Sequence, residues 1–331
     1  MRKQEKLSIL CGAVGMLLLI LDGKTALVGA QEGLALCLRT VIPALFPFFV
    51  LSSLLAGSLR GKFFRPLGKL FHYPAGMESL LVPGILGGYP AGAQAIAQCR
   101  QMGRISKPQA ERMLAFCNNA GPSFLFGMIG PQFSSPFVPW LLWGIHLVGA
   151  FCASGMFSDH TEIVSKPIPV SAISLPQALN KGLTTTAIVC GWVILFRILI
   201  TFLNRWILWL FPTWMQIFVT GLLELSNGCC NLMLVENEGL RFLLCAAMLG
   251  CGGLCVTMQT ASVTDGLSLR YYGLGKLMQT GVGVLLSYVV QLFFPERIVI
   301  PGFAIGICCL IFLLFAGNRK FNSRNTHPVR V

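Results

Sequence analysis

The sequence predicts an all-α polytopic membrane protein, with about eight transmembrane helices and two re-entrant hairpins arranged in an inverted repeat. Three observations predict this class: the composition, the length of the apolar runs, and the restriction of positive charge to alternate loops. Of the 331 residues, 55% are hydrophobic and 11% are charged, whereas a soluble domain has roughly 25% charged residues. The lipid bilayer is therefore the expected solvent for most of the chain.

The net charge of +13 comes from lysines and arginines at the ends of apolar runs, with no basic patch elsewhere. This is the positive-inside pattern of membrane proteins, in which basic loops face the cytoplasm. It excludes a nucleic-acid partner and predicts that both termini are cytoplasmic. The segments predicted to be cytoplasmic on this ground are 2–6, 60–69, 100–112, 270–276 and 319–330.

The first half of the chain, residues 1–157, is predicted to cross the membrane four times and to enter it once more as a hairpin. The segment 23–39 is expected to be an interfacial helix on the outer side. Residues 158–176 form a polar cytoplasmic linker. The predicted crossings are 7–21, 40–59, 109–130 and 138–157, and the hairpin is 77–103.

The second half, residues 177–318, repeats the order of a spanning helix, a hairpin, a broken crossing and a further spanning helix, with one more crossing at the end. Residues 319–331 form a basic cytoplasmic tail. The predicted crossings are 183–203, 240–263, 277–294 and 299–316, and the hairpin is 211–236.

The hairpin at 77–103 is predicted from the stretch 87–94, which interrupts an apolar segment with Gly-Gly-Tyr-Pro. The apolar arms on either side are too short to cross a bilayer, which requires about 20 residues. Both flanks carry cytoplasmic charge clusters, so the segment enters and leaves on one side. Non-helical backbone survives at membrane depth only where protein or water covers it.

Four interruptions in matching order predict an inverted-repeat transporter with a site near the middle of the membrane. They fall at 87–94, 118–123, 224–228 and 250–253. The alternative is glycine-rich helix packing, because glycine lets membrane helices approach closely.

The first two interruptions offer groups that suit a polar ligand. Pro90 is expected at the first position of a half-helix, where its missing N–H costs nothing. The amides that follow would present the positive end of the helix dipole to an anion or a carbonyl-rich solute. Amide side chains at the second interruption donate and accept hydrogen bonds, or they cap the broken helix. The candidate substrate-binding residues here are Gly88, Tyr89, Pro90, Gly92, Asn118, Asn119, Gly121 and Ser123.

Glu224 is the only acid placed deep in an apolar stretch, and such residues usually mark function. It would bind solute, a cation or a proton, or else form a structural ion pair with Arg197. His146 is a packed histidine or a proton carrier. The other candidate substrate-binding residues, each with capping or helix packing as the alternative, are Ser226, Asn227 and Gln259. No metal-binding or disulfide spacing occurs among the cysteines and histidines, so neither metal nor cofactor is expected, although H⁺ or Na⁺ could act as a coupling ion.

Five runs in this order resemble the YlbJ-type sporulation integral membrane proteins, a family of the nucleoside-recognition (Gate) domain group that is similar to concentrative nucleoside transporters. At Ser226 the family often has threonine, and at Cys255 it often has serine. The runs are Val41–Phe49, Gly88–Ala93, Asn118–Phe124, Glu224–Gly228 and Gly252–Gln259. The resemblance implies a multi-pass protein of the bacterial cytoplasmic membrane that takes part in building the spore cortex.

The function predicted from these observations is a transporter or permease for a small polar solute, nucleoside-like or other. An enzyme is not expected, since no metal-binding histidine pair or nucleotide loop is present. The alternative is a non-transporting scaffold for sporulation-stage assembly, which would bind partners through its cytoplasmic face. Homo-oligomers and other sporulation membrane proteins are compatible partners under both hypotheses.

Overall fold

The computed structural model describes residues 3–58, 65–73, 76–157 and 173–293. Every regular element in these ranges is helical. The predicted crossing 299–316, the tail 319–331 and most of the linker 158–176 lie outside the described residues. The α-helices are α1 Lys3–Leu21, α2 Gly23–Leu36, α3 Ile42–Ser58, α4 Arg65–Leu70, α5 Ala91–Gln101, α6 Lys107–Met113, α7 Pro122–Phe124, α8 Val138–Phe157, α9 Leu175–Trp206, α10 Thr213–Leu223, α11 Leu225–Cys230, α12 Glu238–Cys251, α13 Gly253–Val263 and α14 Arg270–Phe293.

Five helical segments of the described part are long and apolar enough to cross a membrane. Two further apolar helices, Gly12–Leu21 and Thr213–Leu223, are shorter. An all-α membrane protein is therefore confirmed. The five candidate spans are Gly23–Leu55, Val138–Phe157, Leu175–Trp206, Glu238–Val263 and Arg270–Phe293.

The sequence-based boundary between an interfacial helix at 23–39 and a crossing at 40–59 is not a break in the structure. A π-helical turn, Cys37–Val41, joins α2 to α3, so the chain stays helical across the expected boundary. The amide of Ile42 donates to the carbonyl of Cys37, which keeps the backbone hydrogen-bonded through the turn. A π-turn absorbs an extra residue without breaking a helix, so α2 and α3 form one continuous helix. The interfacial position of residues 23–39 stays a prediction.

Helix α2 packs closely against α9 through two glycines. A Cβ atom on Gly29 would lie 2.8 Å from the Cα of Ile198, and one on Gly33 would lie 3.0 Å from the Cα of Ile194. Such small residues, four apart, let two membrane helices approach each other. Arg205 of α9 also pairs with Asp22 at 3.0 Å, so the two helices are joined along much of their length.

The predicted hairpins at 77–103 and 211–236 each consist of two short helical arms around a break. In the first hairpin, a Cβ on Gly92 would lie 3.0 Å from the Cα of Gly84, so the arms touch. In the second, a Cβ on Gly228 would lie 2.3 Å from the Cα of Gly221. Both breaks therefore turn the chain sharply enough to bring the flanking arms into backbone contact. The side of the membrane from which each hairpin enters stays a prediction.

Two further helices are interrupted as predicted. Between α6 and α7, residues 114–121 are not helical. Gly252 separates α12 from α13, and Gly253 is the first residue of α13; their φ angles are 72° and 79°, a region that glycine adopts without steric cost. Pro122 occupies the first position of α7. Pro90, however, is the N-cap of α5, which begins at Ala91, so the expected position was wrong by one residue. Pro90 has a φ of −96° and a ψ of 23°, and both angles lie away from the values of an α-helix.

Candidate functional site

The tip of the first hairpin (residues 77–103) lies directly against the interruption of the first broken crossing (residues 109–130). The second hairpin is 211–236, and the second broken crossing is 240–263. A Cβ on Gly121 would lie 3.0 Å from both the Cα and the N of Gly88, and one on Gly92 would lie 1.8 Å from the carbonyl oxygen of Cys117. A Cβ on Gly92 would be closer than any real Cβ contact, and a Cβ on Gly121 would be tighter than nine in ten of them. Three of the predicted site residues, Gly88, Gly92 and Gly121, are therefore needed for backbone packing between the two elements.

Asn118 joins three elements through its buried side chain. Its Oδ1 accepts from the amide of Ala93 in the first turn of α5, at 3.4 Å. Its Nδ2 donates to the hydroxyl of Thr260 on α13, at 2.9 Å. The residue is thus used for positioning: it fixes the start of α5 and connects the first broken crossing to the second.

Asn119 and Ser123 present polar atoms that the protein does not satisfy. The Nδ2 of Asn119 donates to the carbonyls of Gly84 and Phe116, at 3.0 and 2.8 Å. Its Oδ1, and the hydroxyl of Ser123, are buried and have no hydrogen-bond partner among the described residues. Buried polar atoms are nearly always paired, so two such atoms in one interruption are candidates for a ligand.

His146 supports the same interruption from α8. Its Nε2 accepts from the amide of Ala120 at 3.1 Å, and the ring is buried. Its Nδ1 has no partner among the described residues. The contact with Ala120 fits the interpretation of a packed histidine that holds the broken backbone, while a proton role stays a prediction.

Lys276 is a central residue that sequence reasoning missed. It was interpreted as part of a cytoplasmic charge cluster, but it is 4% exposed and points into the protein from α14. Its ammonium donates to the carbonyl of Asn118 at 2.8 Å, to Oε1 of Gln279 at 2.8 Å and to the hydroxyl of Tyr89 at 3.2 Å. It also lies 4.8 Å from the centre of the Tyr89 ring, a favourable position for a cation.

A sequence signal for Lys276 did exist. Tyr272, Lys276 and Gln279 are spaced four and three residues apart and share one face of α14, and all three are buried. Side chains at this spacing lie above one another on a helix. A polar stripe on an apolar helix indicates that this face points into the protein and away from lipid.

Glu224 is the N-cap of α11 at the tip of the second hairpin. Its Oε1 accepts from the amide of Ser226 at 3.0 Å. Its Oε2 accepts from the amide and the side-chain Nδ2 of Asn227, at 2.7 and 2.6 Å. The backbone at Glu224 is extended, with φ −141° and ψ 112°. These three donors on one carboxylate hold the tip together.

The predicted ion pair of Glu224 with Arg197 was wrong. Arg197 instead holds Oε2 of Glu32 with Nε at 3.0 Å and Nη2 at 2.7 Å. Its Nη1 donates to Oδ1 of Asn227 at 3.0 Å. Asn227 therefore stands between the arginine and the glutamate, because the amide offers an acceptor to one and a donor to the other.

Gln259 lies on α13, buried, with Nε2 3.3 Å from the sulfur of Cys255 in the same helix. This contact lies within one helix, so the interhelical hydrogen bond that was the alternative for Gln259 is not observed. The sulfur of Cys255 gives the amide only a weak acceptor.

Tyr89 and the paired glycines bring the four interruptions into one contact network. The Tyr89 hydroxyl lies 3.3 Å from the carbonyl of Leu249, in the last turn of α12. A Cβ on Gly252 would lie 3.4 Å from that hydroxyl, and one on Gly253 would lie 3.0 Å from the carbonyl of Gly221 in the second hairpin. The first hairpin thus contacts the second broken crossing, which contacts the second hairpin.

The fold and this network define a multi-pass membrane protein whose interrupted helices meet around buried polar groups. Among known proteins, the chain is 26% identical over 320 residues to "Sporulation integral membrane protein YlbJ" of Bacillus subtilis (strain 168), covering 80% of this chain and 76% of that protein. The resemblance to the YlbJ-type proteins is thereby confirmed. No protein-family model matches the chain, and no solved structure matches it. The relation to the nucleoside-recognition (Gate) domain group stays a prediction from the sequence motifs.

Proposed function

We propose that this protein is a secondary transporter or permease for a small polar solute and that it acts in sporulation. The observation that carries the proposal is the meeting of four interrupted elements around buried polar groups. Interrupted membrane helices cost free energy, and in transporters the cost supports a binding site near the middle of the membrane. The name of the B. subtilis relative supports the sporulation setting.

The polar atoms of the first broken crossing suggest what the solute offers. Among the described residues, Oδ1 of Asn119 has no donor, and the hydroxyl of Ser123, which can both donate and accept, has no partner. The ammonium of Lys276 donates to the backbone carbonyl of Asn118, the residue that precedes Asn119. A solute that carries one hydrogen-bond donor and an oxygen-rich or anionic group would match this arrangement. A nucleoside-like solute is one member of that class, and H⁺ or Na⁺ would be the coupling ion.

Movement of a hairpin would open the site to each side in turn. The side-chain hydrogen bonds that join the hairpins to other helices include Tyr89 to Leu249, Lys276 to Tyr89 and Arg197 to Asn227. The short hairpins would move by exchanging such bonds, whereas the long pair α2 and α9 would act as the frame.

Uptake by proteoliposomes tests the proposal. Vesicles containing the purified protein would be incubated with a mixture of metabolites from sporulating cells, and the enclosed solutes identified by mass spectrometry. Asn119→Ala and Ser123→Ala are expected to abolish accumulation of the transported solute. Asn180→Ala, an exposed position on α9, is the matched control and should retain uptake.

The scaffold alternative gives the opposite pattern. No metabolite would accumulate, and sporulation would tolerate Asn119→Ala and Glu224→Gln. Charge reversal at Arg100 and Lys107 on the predicted cytoplasmic face would then impair sporulation more than either substitution. That combination of results would exclude the transporter.

A further inference from the structure

We propose that Lys276 is the proton-binding group that couples transport to a proton gradient, and that it acts by redirecting the hydroxyl of Tyr89. The inference rests on the proposed transport function and specifies its coupling ion. Its basis is the position of the Lys276 amine, which extends from α14 and contacts both the first hairpin and the first broken crossing.

The ammonium of Lys276 has a complete set of acceptors. Its three contacts are the carbonyl of Asn118, Oε1 of Gln279 and the hydroxyl of Tyr89, at 2.8, 2.8 and 3.2 Å. An ammonium has three donors and no acceptor, so each N–H has one partner. All three partners are uncharged groups.

No carboxylate of the described residues lies within 4.0 Å of this amine. An uncompensated buried charge is expensive, and ionisable groups at membrane depth usually mark proton or substrate pathways. The titratable groups facing Lys276 are His146 from α8, Cys251 from α12, the Tyr89 hydroxyl of the first hairpin and Tyr272 on its own helix. Among these groups none is a carboxylate, so none supplies a fixed negative charge.

A sodium ion does not fit the same place. The oxygen atoms around the amine already accept hydrogen bonds from the ammonium of Lys276. A second cation beside the ammonium would be repelled by it. The proton therefore fits as coupling ion, and Na⁺ does not.

Two hydrogen-bond arrangements follow from the two forms of the amine. When Lys276 is protonated, it donates to the oxygen of Tyr89, and the Tyr89 O–H donates to the carbonyl of Leu249 at 3.3 Å. When the proton leaves Nζ for water in the compartment to which the site is open, the amine gains a lone pair. Tyr89 can then donate to Nζ, and its bond to Leu249 is lost.

The lost bond connects the first hairpin to the end of α12. Tyr89 precedes α5, and Leu249 precedes the break at Gly252. Release of the proton would therefore loosen the hairpin tip from the second broken crossing. Binding of a proton would join them again, and this is the linkage that proton-coupled movement of a hairpin requires.

Amide hydrogen exchange of the peptide containing residues 84–94 tests the switch. Exchange of the full-length protein in lipid nanodiscs would be compared with that of Lys276→Met at each pH from mildly acidic to alkaline. The ratio of the two rates cancels the intrinsic pH dependence of exchange. We expect the wild-type peptide to exchange about tenfold faster, relative to the variant, at alkaline pH, since one hydrogen bond is lost there.

Three further variants sharpen the result. Lys276→Arg stays charged at every pH. The exchange rate of its peptide, relative to that of Lys276→Met, should therefore not change with pH. Tyr89→Phe should exchange fast at all pH values, because the bond to Leu249 is absent. Lys181→Met is the matched control: it removes another lysine that contacts the first hairpin, through Gln98 at 3.0 Å, and should keep the wild-type transition.

A wild-type ratio that does not change with pH, or a transition that persists in Lys276→Arg, would overturn the inference. Uptake then separates the two proposals. Accumulation of a solute without a pH-dependent ratio leaves transport intact and removes the proton switch. A pH-dependent ratio with no uptake of any metabolite removes the transport function, while the proton site itself is retained.

Discussion

The guanidinium of Arg197 lies 3.0 Å from Oδ1 of Asn227 and links α9 to the tip of the second hairpin. The same side chain holds Glu32 of α2 through two further nitrogens. Asn227 in turn donates its amide to Glu224. The long helices that frame the protein are therefore connected to the buried carboxylate by a continuous series of hydrogen bonds.

Substitution of Arg197 should remove the link between α9 and the tip of the second hairpin. We expect Arg197→Met to lower the free energy of unfolding by about 1–3 kcal/mol, because Oδ1 of buried Asn227 loses a charged donor. The measurement is unfolding in mixed detergent micelles, followed by circular dichroism. Glu32→Gln is the comparison: Glu32 is 46% exposed, and an exposed ion pair contributes about 0–1 kcal/mol. Equal losses in the two variants would contradict this account.

Removal of the Glu224 carboxylate should destabilise the second hairpin. Glu224→Ala leaves the amides of Ser226 and Asn227 without their acceptor in a buried place, at a cost of about 1–3 kcal/mol for each unsatisfied group. Glu224→Gln keeps one acceptor oxygen and should cost less. Asn237 caps α12 at the surface, through the amide of Leu240, so Asn237→Ala should cost only about 1 kcal/mol.

Unfolding midpoints of the three variants check this order. A Glu224→Ala protein as stable as Asn237→Ala would show that water, and not the carboxylate, accepts the hydrogen bonds of the Ser226 and Asn227 amides.

Two glycines in the hairpins should not tolerate a methyl group. Gly92→Ala would place a Cβ 1.8 Å from the carbonyl oxygen of Cys117, and Gly228→Ala would place one 2.3 Å from the Cα of Gly221. Both contacts are with backbone, so the elements must move apart, and we expect low yields of folded protein in size-exclusion chromatography.

Gly191 in the middle of α9 is the control, since no atom of the described residues lies within 4 Å of a Cβ built there. Gly191→Ala should fold normally and gain up to about 1 kcal/mol, because alanine is the better helix former. Normal folding of Gly92→Ala would show that the first hairpin and the first broken crossing are not in backbone contact.

Asn118 and Thr260 should be energetically coupled across the two broken crossings. Their side chains share a hydrogen bond of 2.9 Å between buried groups. A double-mutant cycle with Asn118→Ala and Thr260→Val should give an interaction free energy of about 0.5–1.5 kcal/mol. Additive losses would indicate that the two elements are independent in solution, and a cycle between Asn118 and exposed Asn180 should be additive in any case.

Several parts of this architecture follow from local sequence alone. The interruptions at Gly88, Asn118, Glu224 and Gly252 were all found from proline, glycine and polar residues inside apolar runs. Such residues act through the backbone: they remove a donor, permit a positive φ or offer a cap. These effects depend on near neighbours in the chain, so they can be predicted without knowing what packs against the segment.

Two features escaped sequence reasoning because they depend on contacts over long sequence separations. The sequence assigns the charge of Lys276 to a cytoplasmic loop and makes Glu224 the candidate partner of Arg197. Each error comes from judging a residue by its neighbours in sequence. Lys276 meets Tyr89 across 187 residues, and Arg197 meets Glu32 across 165.

The sequence by itself determined the class of protein and the places where its helices are interrupted, because composition and backbone chemistry are local properties. Only the tertiary structure decided which interruptions touch and which charges are buried. A charged side chain in an apolar run can reach out to the membrane surface or turn inward to a partner. The choice depends on whether the partner's acceptors lie within about 3 Å, and that distance exists only once the helices have packed.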